Sequence, residues 1–140
     1  MDERILLLTH GGWGTSLLKS IEMIIGKVSF VDEIALEPNF LMDEYRAYVE
    51  QYLQTQLSSI AKPVHITIFT DMFGGTPTNV AALVSREHDM KIHVITGLNA
   101  PLLLEACSQI LFHSELNYTQ LLDNTKDSMF DVMEKLCRKG

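Results

Sequence analysis

Histidine changes charge close to neutral pH and can act as a nucleophile through a free ring nitrogen. Of the five histidines in this chain, His10 has the setting that best suits such chemistry. It follows the apolar run Ile5-Leu6-Leu7-Leu8 and Thr9, and it precedes Gly11 and Gly12. A second polar stop, Asp71, follows the β-branched and aromatic stretch Val64 to Thr70 and precedes Gly74-Gly75-Thr76-Pro77. A carboxylate that accepts from Nδ1–H fixes the imidazole tautomer and leaves the Nε2 lone pair free. It also stabilises positive charge that develops on the ring. Glycines let backbone amides approach an anion closely, and a helix N-terminus favours negative charge. Thr76 adds a hydroxyl, and Pro77 suits a first helical turn. Each part alone has a plainer reading, as a strand-end residue or a turn. Together they describe a phosphate-sized anion site beside a nucleophilic histidine.

That pairing works only if two strands end side by side. The continuous apolar character of Ile5 to Leu8 predicts a strand buried on both faces, as in a parallel sheet. Leu17, Leu18, Ile21, Met23, Ile24 and Ile25 recur at near-helical spacing until Gly26, with a helix start at Thr15 or Ser16. Val31 to Leu36 reads as a second strand, closed by Pro38. The stretch from Asn39 to Ile60 is amphipathic, with Asp43 as N-cap and Tyr45, Tyr48, Val49, Tyr52, Leu53 and Leu57 as its buried stripe. Val64 to Thr70 is a third strand, Asn79 to Val84 is helical, Lys91 to Thr96 is a fourth strand, and Pro101 opens another helix. Asn117 to Leu122 also reads as helix, whereas Met129 to Met133 fits either a helix or a short edge strand. The alternation predicts an α/β fold with a largely parallel sheet, whose functional residues lie beyond the C-terminal ends of the strands.

Composition narrows the function classes. The 140 residues are 46% hydrophobic and 21% charged, which suits one domain from end to end. The formal net charge of -7 and the scattered cations argue against a nucleic-acid binder and against docking on an anionic membrane. Cys107 and Cys137 show no metal-ligand spacing and fit a reducing compartment. No apolar run approaches a membrane span, and no export signal is visible, so a cytoplasmic domain is expected. No carboxylate cluster suggests a metal, and no cofactor is expected.

The segments Thr9-His10-Gly11, Leu17-Leu18-Lys19 through Glu22-Met23 to Gly26, Asp71-x-Phe73-Gly74-Gly75-Thr76-Pro77-x-Asn79, and Gly97-Leu98-Asn99-x-Pro101-Leu102 occur in this order. They resemble the enzyme IIA component of the mannose-family sugar phosphotransferase system, from Met1 to about Leu122. The Asp-x-aromatic-Gly-Gly-Thr-Pro segment carries the most specific likeness. The resemblance implies a phosphocarrier in which His10 accepts a phosphoryl group on Nε2 from phospho-HPr and passes it to the IIB component. Asp71 would orient and charge the imidazole, and Thr76 would contact phosphoryl oxygens, with Gly11, Gly74 and Gly75 lining the phosphate site. The implied fold is a mostly parallel sheet with helices on both faces. It also implies a homodimer that exchanges an antiparallel C-terminal edge strand, with the membrane reached through the IIC and IID subunits.

This chain departs from the family pattern in Gly12-Trp13-Gly14, which is richer in glycine, and at Met72, often polar in relatives. Ser128 to Gly140 lacks the glycine-containing strand, and no Ala/Pro linker follows, so IIB is expected on a separate polypeptide. The nearest alternative is the phosphotransfer subunit of a dihydroxyacetone kinase. A receiver-like signalling domain fits less well, because Thr9-His10-Gly11 stands where an acidic Mg²⁺ cluster would be needed. His65 and His93 fall in strand patterns as half-buried sheet residues, and His88 and His113 read as surface residues.

Overall fold

A computed structural model describes residues 2–58, 62–88 and 92–137. In chain order the elements are β1 (Asp2–His10), α1 (Trp13–Ile25), β2 (Val31–Leu36), α2 (Met42–Leu57), β3 (Val64–Thr70), α3 (Thr76–Glu87), β4 (Ile92–Thr96), α4 (Ala100–His113), α5 (Tyr118–Thr125) and α6 (Val132–Cys137). The described strands form one parallel sheet in the order β2-β1-β3-β4. The expected α/β architecture with helices on both faces is present.

The run Ile5 to Leu8 shows why the sheet is sandwiched. Successive strand side chains point to opposite faces, so Ile5 and Leu7 pack with Ile21 of α1 and with Leu102, Leu103 and Ala106 of α4. Leu6 and Leu8 pack with Tyr45, Val49 and Leu53 of α2 and with Val80, Ala81 and Val84 of α3. All four strand residues are buried, and each contributes about 1.5–3 kcal/mol of transfer free energy. The chain leaves β1 for β2 on one side and later returns to β3 on the other. This reversal opens a crevice between the C-terminal ends of β1 and β3, where open parallel sheets carry their ligands. In register, Leu8 lies opposite Thr70, so the residues that follow, His10 and Asp71, emerge as neighbours.

Several local expectations change. Helix α1 begins at Trp13, earlier than Thr15, because Gly12 adopts a left-handed conformation with φ of 80° and turns the chain directly into the helix. Extended Leu41 precedes α2, while Asp43 lies in its first turn, where a carboxylate faces the positive end of the helix dipole. Tyr45, Val49 and Leu53 form the buried stripe at i, i+4 spacing, and Tyr52 and Leu57 flank it. Tyr48 is 54% exposed and meets Phe40 edge-on, so it does not belong to the core. Ile60 and Lys91, at the ends of the expected α2 and β4, fall outside the described residues.

At the C-terminus the alternative that forms is helical. Residues Val132–Cys137 make α6, and no antiparallel edge strand is present among the described residues. Met129, Phe130, Val132, Met133 and Leu136 are exposed.

Candidate active site

His10 ends β1 and Asp71 follows β3, and the two meet across the crevice. His10 Nδ1 lies 2.9 Å from Asp71 Oδ2 and 3.1 Å from Oδ1. The backbone N–H of His10 donates to the same Oδ2 at 2.7 Å. The indole N–H of Trp13 reaches Oδ2 at 3.4 Å, and the Met72 amide holds Oδ1 at 2.9 Å. The carboxylate is therefore fixed from several sides, with its side chain 4% exposed against 39% for His10. Burial pushes the Asp71 carboxyl upward, but donation from the His10 backbone, the His10 ring and the Trp13 indole outweighs it. The net effect holds Asp71 below the ordinary aspartate range, so it is an anion at neutral pH. With Nδ1 engaged, the tautomer that donates to Asp71 carries its lone pair on Nε2.

The segment after Asp71 shapes the other side of the imidazole. Gly74 takes φ of 89°, a backbone state that side chains disfavour. A Cβ placed on Gly75 would stand 2.8 Å from His10 Cε1 and 3.3 Å from Nε2, so a glycine is required for the ring to sit here. Gly75 is the N-cap of α3 and brings no capping side chain of its own to that helix end. Pro77 occupies its first turn, as expected. The Nε2 edge of His10 thus borders a helix N-terminus, an arrangement that attracts an anion.

Threonines lock this loop to the sheet. Thr70, Thr78 and Thr96 share hydroxyl hydrogen bonds, at 2.7 Å between Thr70 and Thr78 and 2.8 Å between Thr70 and Thr96. Thr78 also donates to the Met72 carbonyl. This network escaped the sequence reading, although the register of Thr70 opposite Thr96 would have suggested it once the strands were paired.

The first glycine loop differs from expectation. The Gly11 amide donates to the Leu36 carbonyl at 2.9 Å and is engaged within the protein. The N-terminus of α1, expected to attract a phosphate, holds a carboxylate from the protein itself. Glu33 of β2 accepts from Gly14 N at 2.7 Å, Thr15 N at 2.9 Å and the Thr15 hydroxyl at 2.7 Å, and also from the Thr9 hydroxyl. Nothing in the local spacing of Glu33 signals this, because its partners come from β1 and α1. The structure thus brings Asp71 and Gly75 against His10, with Gly74 and Thr76 flanking Gly75 in the chain, whereas Gly11 is bound to the Leu36 carbonyl.

The remaining histidines lie elsewhere. His65 is half-buried and pairs with Glu3, while His93 is more exposed than expected and stacks on Tyr118 with centroids 3.9 Å apart. His88 contacts Glu50, and His113 sits in the exposed last turn of α4. Among the described residues no group of three or more His, Cys, Asp or Glu side chains could hold a metal ion. No helix among them is long and apolar enough to cross a membrane.

An open parallel α/β sheet with a histidine–carboxylate pair at its switch point, beside a glycine-bounded helix N-terminus, defines a class of domain suited to carrying a small anion. The family described as PTS system fructose IIA component matches residues 4–124, and the chain belongs to that family of phosphotransferase-system components. It is 30% identical over 122 residues to the PTS system fructose-specific EIIA component of Bacillus subtilis, covering 87% of this chain and 78% of that protein. It is 32% identical over 107 residues to the PTS system mannose-specific EIIAB component of Escherichia coli, covering 75% of this chain but 31% of that longer protein. Among solved structures, the PTS IIA protein associated with the fucose utilization operon from Streptococcus pneumoniae is similar over 97% of both chains, with a TM-score of 0.82 and 28% identity.

Proposed function

We propose that this chain is a phosphocarrier that accepts a phosphoryl group from phospho-HPr on His10 Nε2 and passes it to a IIB component, which phosphorylates an incoming sugar. The observation that carries this reading is the two-sided hold on one imidazole. Asp71 engages Nδ1, and the Nε2 edge lies against Gly75 at the start of α3. Phosphoryl transfer asks a protein chiefly for positioning and charge stabilisation. In the first half-reaction the Nε2 lone pair forms a bond to phosphorus as the bond to the donor breaks. The ring becomes positively charged, and the Asp71 anion offsets that charge. In the second, the nucleophile on IIB takes the phosphorus and the electron pair returns to Nε2. Amides of Gly74 and Gly75 and the Thr76 hydroxyl are the donors for the phosphoryl oxygens.

On this reading the chain acts as a single domain in the cytoplasm and meets the membrane indirectly, through the transport subunits. We also infer a homodimer. The outer edge of β4 is unpaired among the described strands, and the neighbouring segment exposes Met129, Phe130 and Met133, surfaces that a second copy would cover.

The test is labelling by phospho-HPr. Wild-type chain takes up one phosphoryl group, and His10→Ala takes up none. Stoichiometric labelling of His10→Ala overturns the assignment.

A further inference from the structure

Two helices begin beside His10, and their N-termini have been treated in opposite ways. Helix α1 starts three residues after His10, and its N-terminus is filled by the Glu33 carboxylate, which accepts two backbone amides and two hydroxyls. This fit is built in. A Cβ on Gly14 would stand 2.9 Å from the Glu33 carboxyl carbon and 3.0 Å from Leu7 Cδ1, so the close approach depends on glycine at that position. At α3 the N-cap is Gly75, which offers no capping side chain, and a Cβ there would stand 3.3 Å from His10 Nε2.

We propose that Glu33 is a positioning residue for phosphoryl transfer: by holding a fixed carboxylate at the start of α1, it directs the phosphoryl group on His10 to the start of α3. A helix N-terminus carries roughly half a positive charge, which an acceptor carboxylate offsets. Left uncapped, α1 would offer Gly14 and Thr15 amides as a second cradle for the phosphoryl oxygens. A group shared between two cradles would be misaligned for attack by the next carrier. Glu33 removes the competing cradle and forms a negative wall at the start of α1. Its link to the Thr9 hydroxyl ties the wall to the residue beside the nucleophile.

This inference rests on His10 as the phosphoacceptor. It is tested on the full-length ¹⁵N-labelled chain by comparing amide NMR spectra before and after phosphorylation by phospho-HPr, in wild type and in Glu33→Gln. In wild type the Gly75 and Thr76 amides shift and those of Gly14 and Thr15 stay nearly in place. In Glu33→Gln the Gly14 and Thr15 amides join the shift, and onward transfer to IIB slows about 10-fold, the lower end for loss of a supporting residue. Wild-type shifts at Gly14 and Thr15 as large as those at Gly75 overturn the proposal, and that comparison needs no variant. So does a Glu33→Gln spectrum that changes at the same amides as wild type. If His10 is not phosphorylated at all, the carrier reading fails. Titration of the unphosphorylated proteins with inorganic phosphate then tests Glu33 separately. Saturable shifts at Gly14 and Thr15 in the variant but not in wild type support the proposal, and any other pattern overturns it.

Discussion

His10 and His65 stand on adjacent strands of one sheet, and each has a carboxylate within reach. His10 Nδ1 is 2.9 Å from Asp71, and His65 Nδ1 is 3.3 Å from Glu3. The two carboxylates are almost equally buried, with side chains 4% and 5% exposed. The pair itself therefore does not distinguish the two histidines. The difference lies in which end of the strands holds it and what faces the other ring nitrogen. His65 begins β3 at the N-terminal end of the sheet, with its ring against His93 and Tyr118 at centroid distances of 5.3 and 6.1 Å. The Leu116 amide also donates to Glu3, so this cluster joins α5 and its preceding loop to the sheet. His10 ends β1 at the switch point, where glycine and a helix start replace aromatic packing. One arrangement ties elements of the fold together, and the other leaves the Nε2 edge beside a helix N-terminus.

The comparison can be broken most severely at Asp71. Asp71→Ala is expected to slow phosphoryl transfer about 10- to 100-fold, as loss of an orienting carboxylate does, while His10 still accepts the group. Rapid-quench measurement of both half-reactions checks this, and wild-type rates would make Asp71 structural only. Gly75→Ala should follow, with roughly 10-fold slower transfer, because a Cβ would press on the His10 ring and small misplacements at a reacting atom are costly. Its circular dichroism spectrum should match wild type.

Acid stability gives a smaller effect with a definite sign. Folding lowers the Asp71 carboxyl below its ordinary value of about 3.9, so its contribution to stability is full above that pH. The contribution is lost as the pH falls through the lower folded value. Urea midpoints measured from neutrality down to acid should therefore fall less steeply at the acid end for Asp71→Asn than for wild type. His65→Leu defines the other half of the comparison. It should leave labelling by phospho-HPr unchanged and cost about 1–2 kcal/mol of unfolding free energy, since buried Glu3 loses one of its two partners and keeps only the Leu116 amide. Loss of labelling in that variant would erase the distinction between the two pairs.

The parts legible in the sequence are those whose signal is local. The continuous apolar run from Ile5 to Leu8, closed by Thr9-His10-Gly11-Gly12, fits a strand covered on both faces, and polar residues close both β1 and β3. Where a side chain's role depends on a partner distant in the chain, the local pattern is silent. Glu33 looks like an ordinary strand carboxylate until β2 is laid beside β1, and Thr70, Thr78 and Thr96 come together only when β3, α3 and β4 are assembled. Trp13 reads as an aromatic in a glycine loop, and its bond to Asp71 follows from the helix starting early at left-handed Gly12. The buried stripe of α2 is narrower than its aromatic pattern suggests. Tyr48 shares the aromatic character of Tyr45 but lies off the i, i+4 line of Tyr45, Val49 and Leu53. Beyond Cys107 the signal weakens, and at Met129 to Met133 a short apolar run suits helix and strand equally, so tertiary contacts must decide.

The central claim is that the phosphoryl group resides on one nitrogen of one histidine. The direct measurement is ³¹P and ¹⁵N NMR of the wild-type chain after stoichiometric phosphorylation by phospho-HPr, with the modified residue mapped by mass spectrometry under alkaline conditions. The account predicts a single acid-labile phosphoramidate on Nε2 of His10. A phosphoryl group on Nδ1, on His65 or another histidine, or in an acid-stable linkage would contradict it.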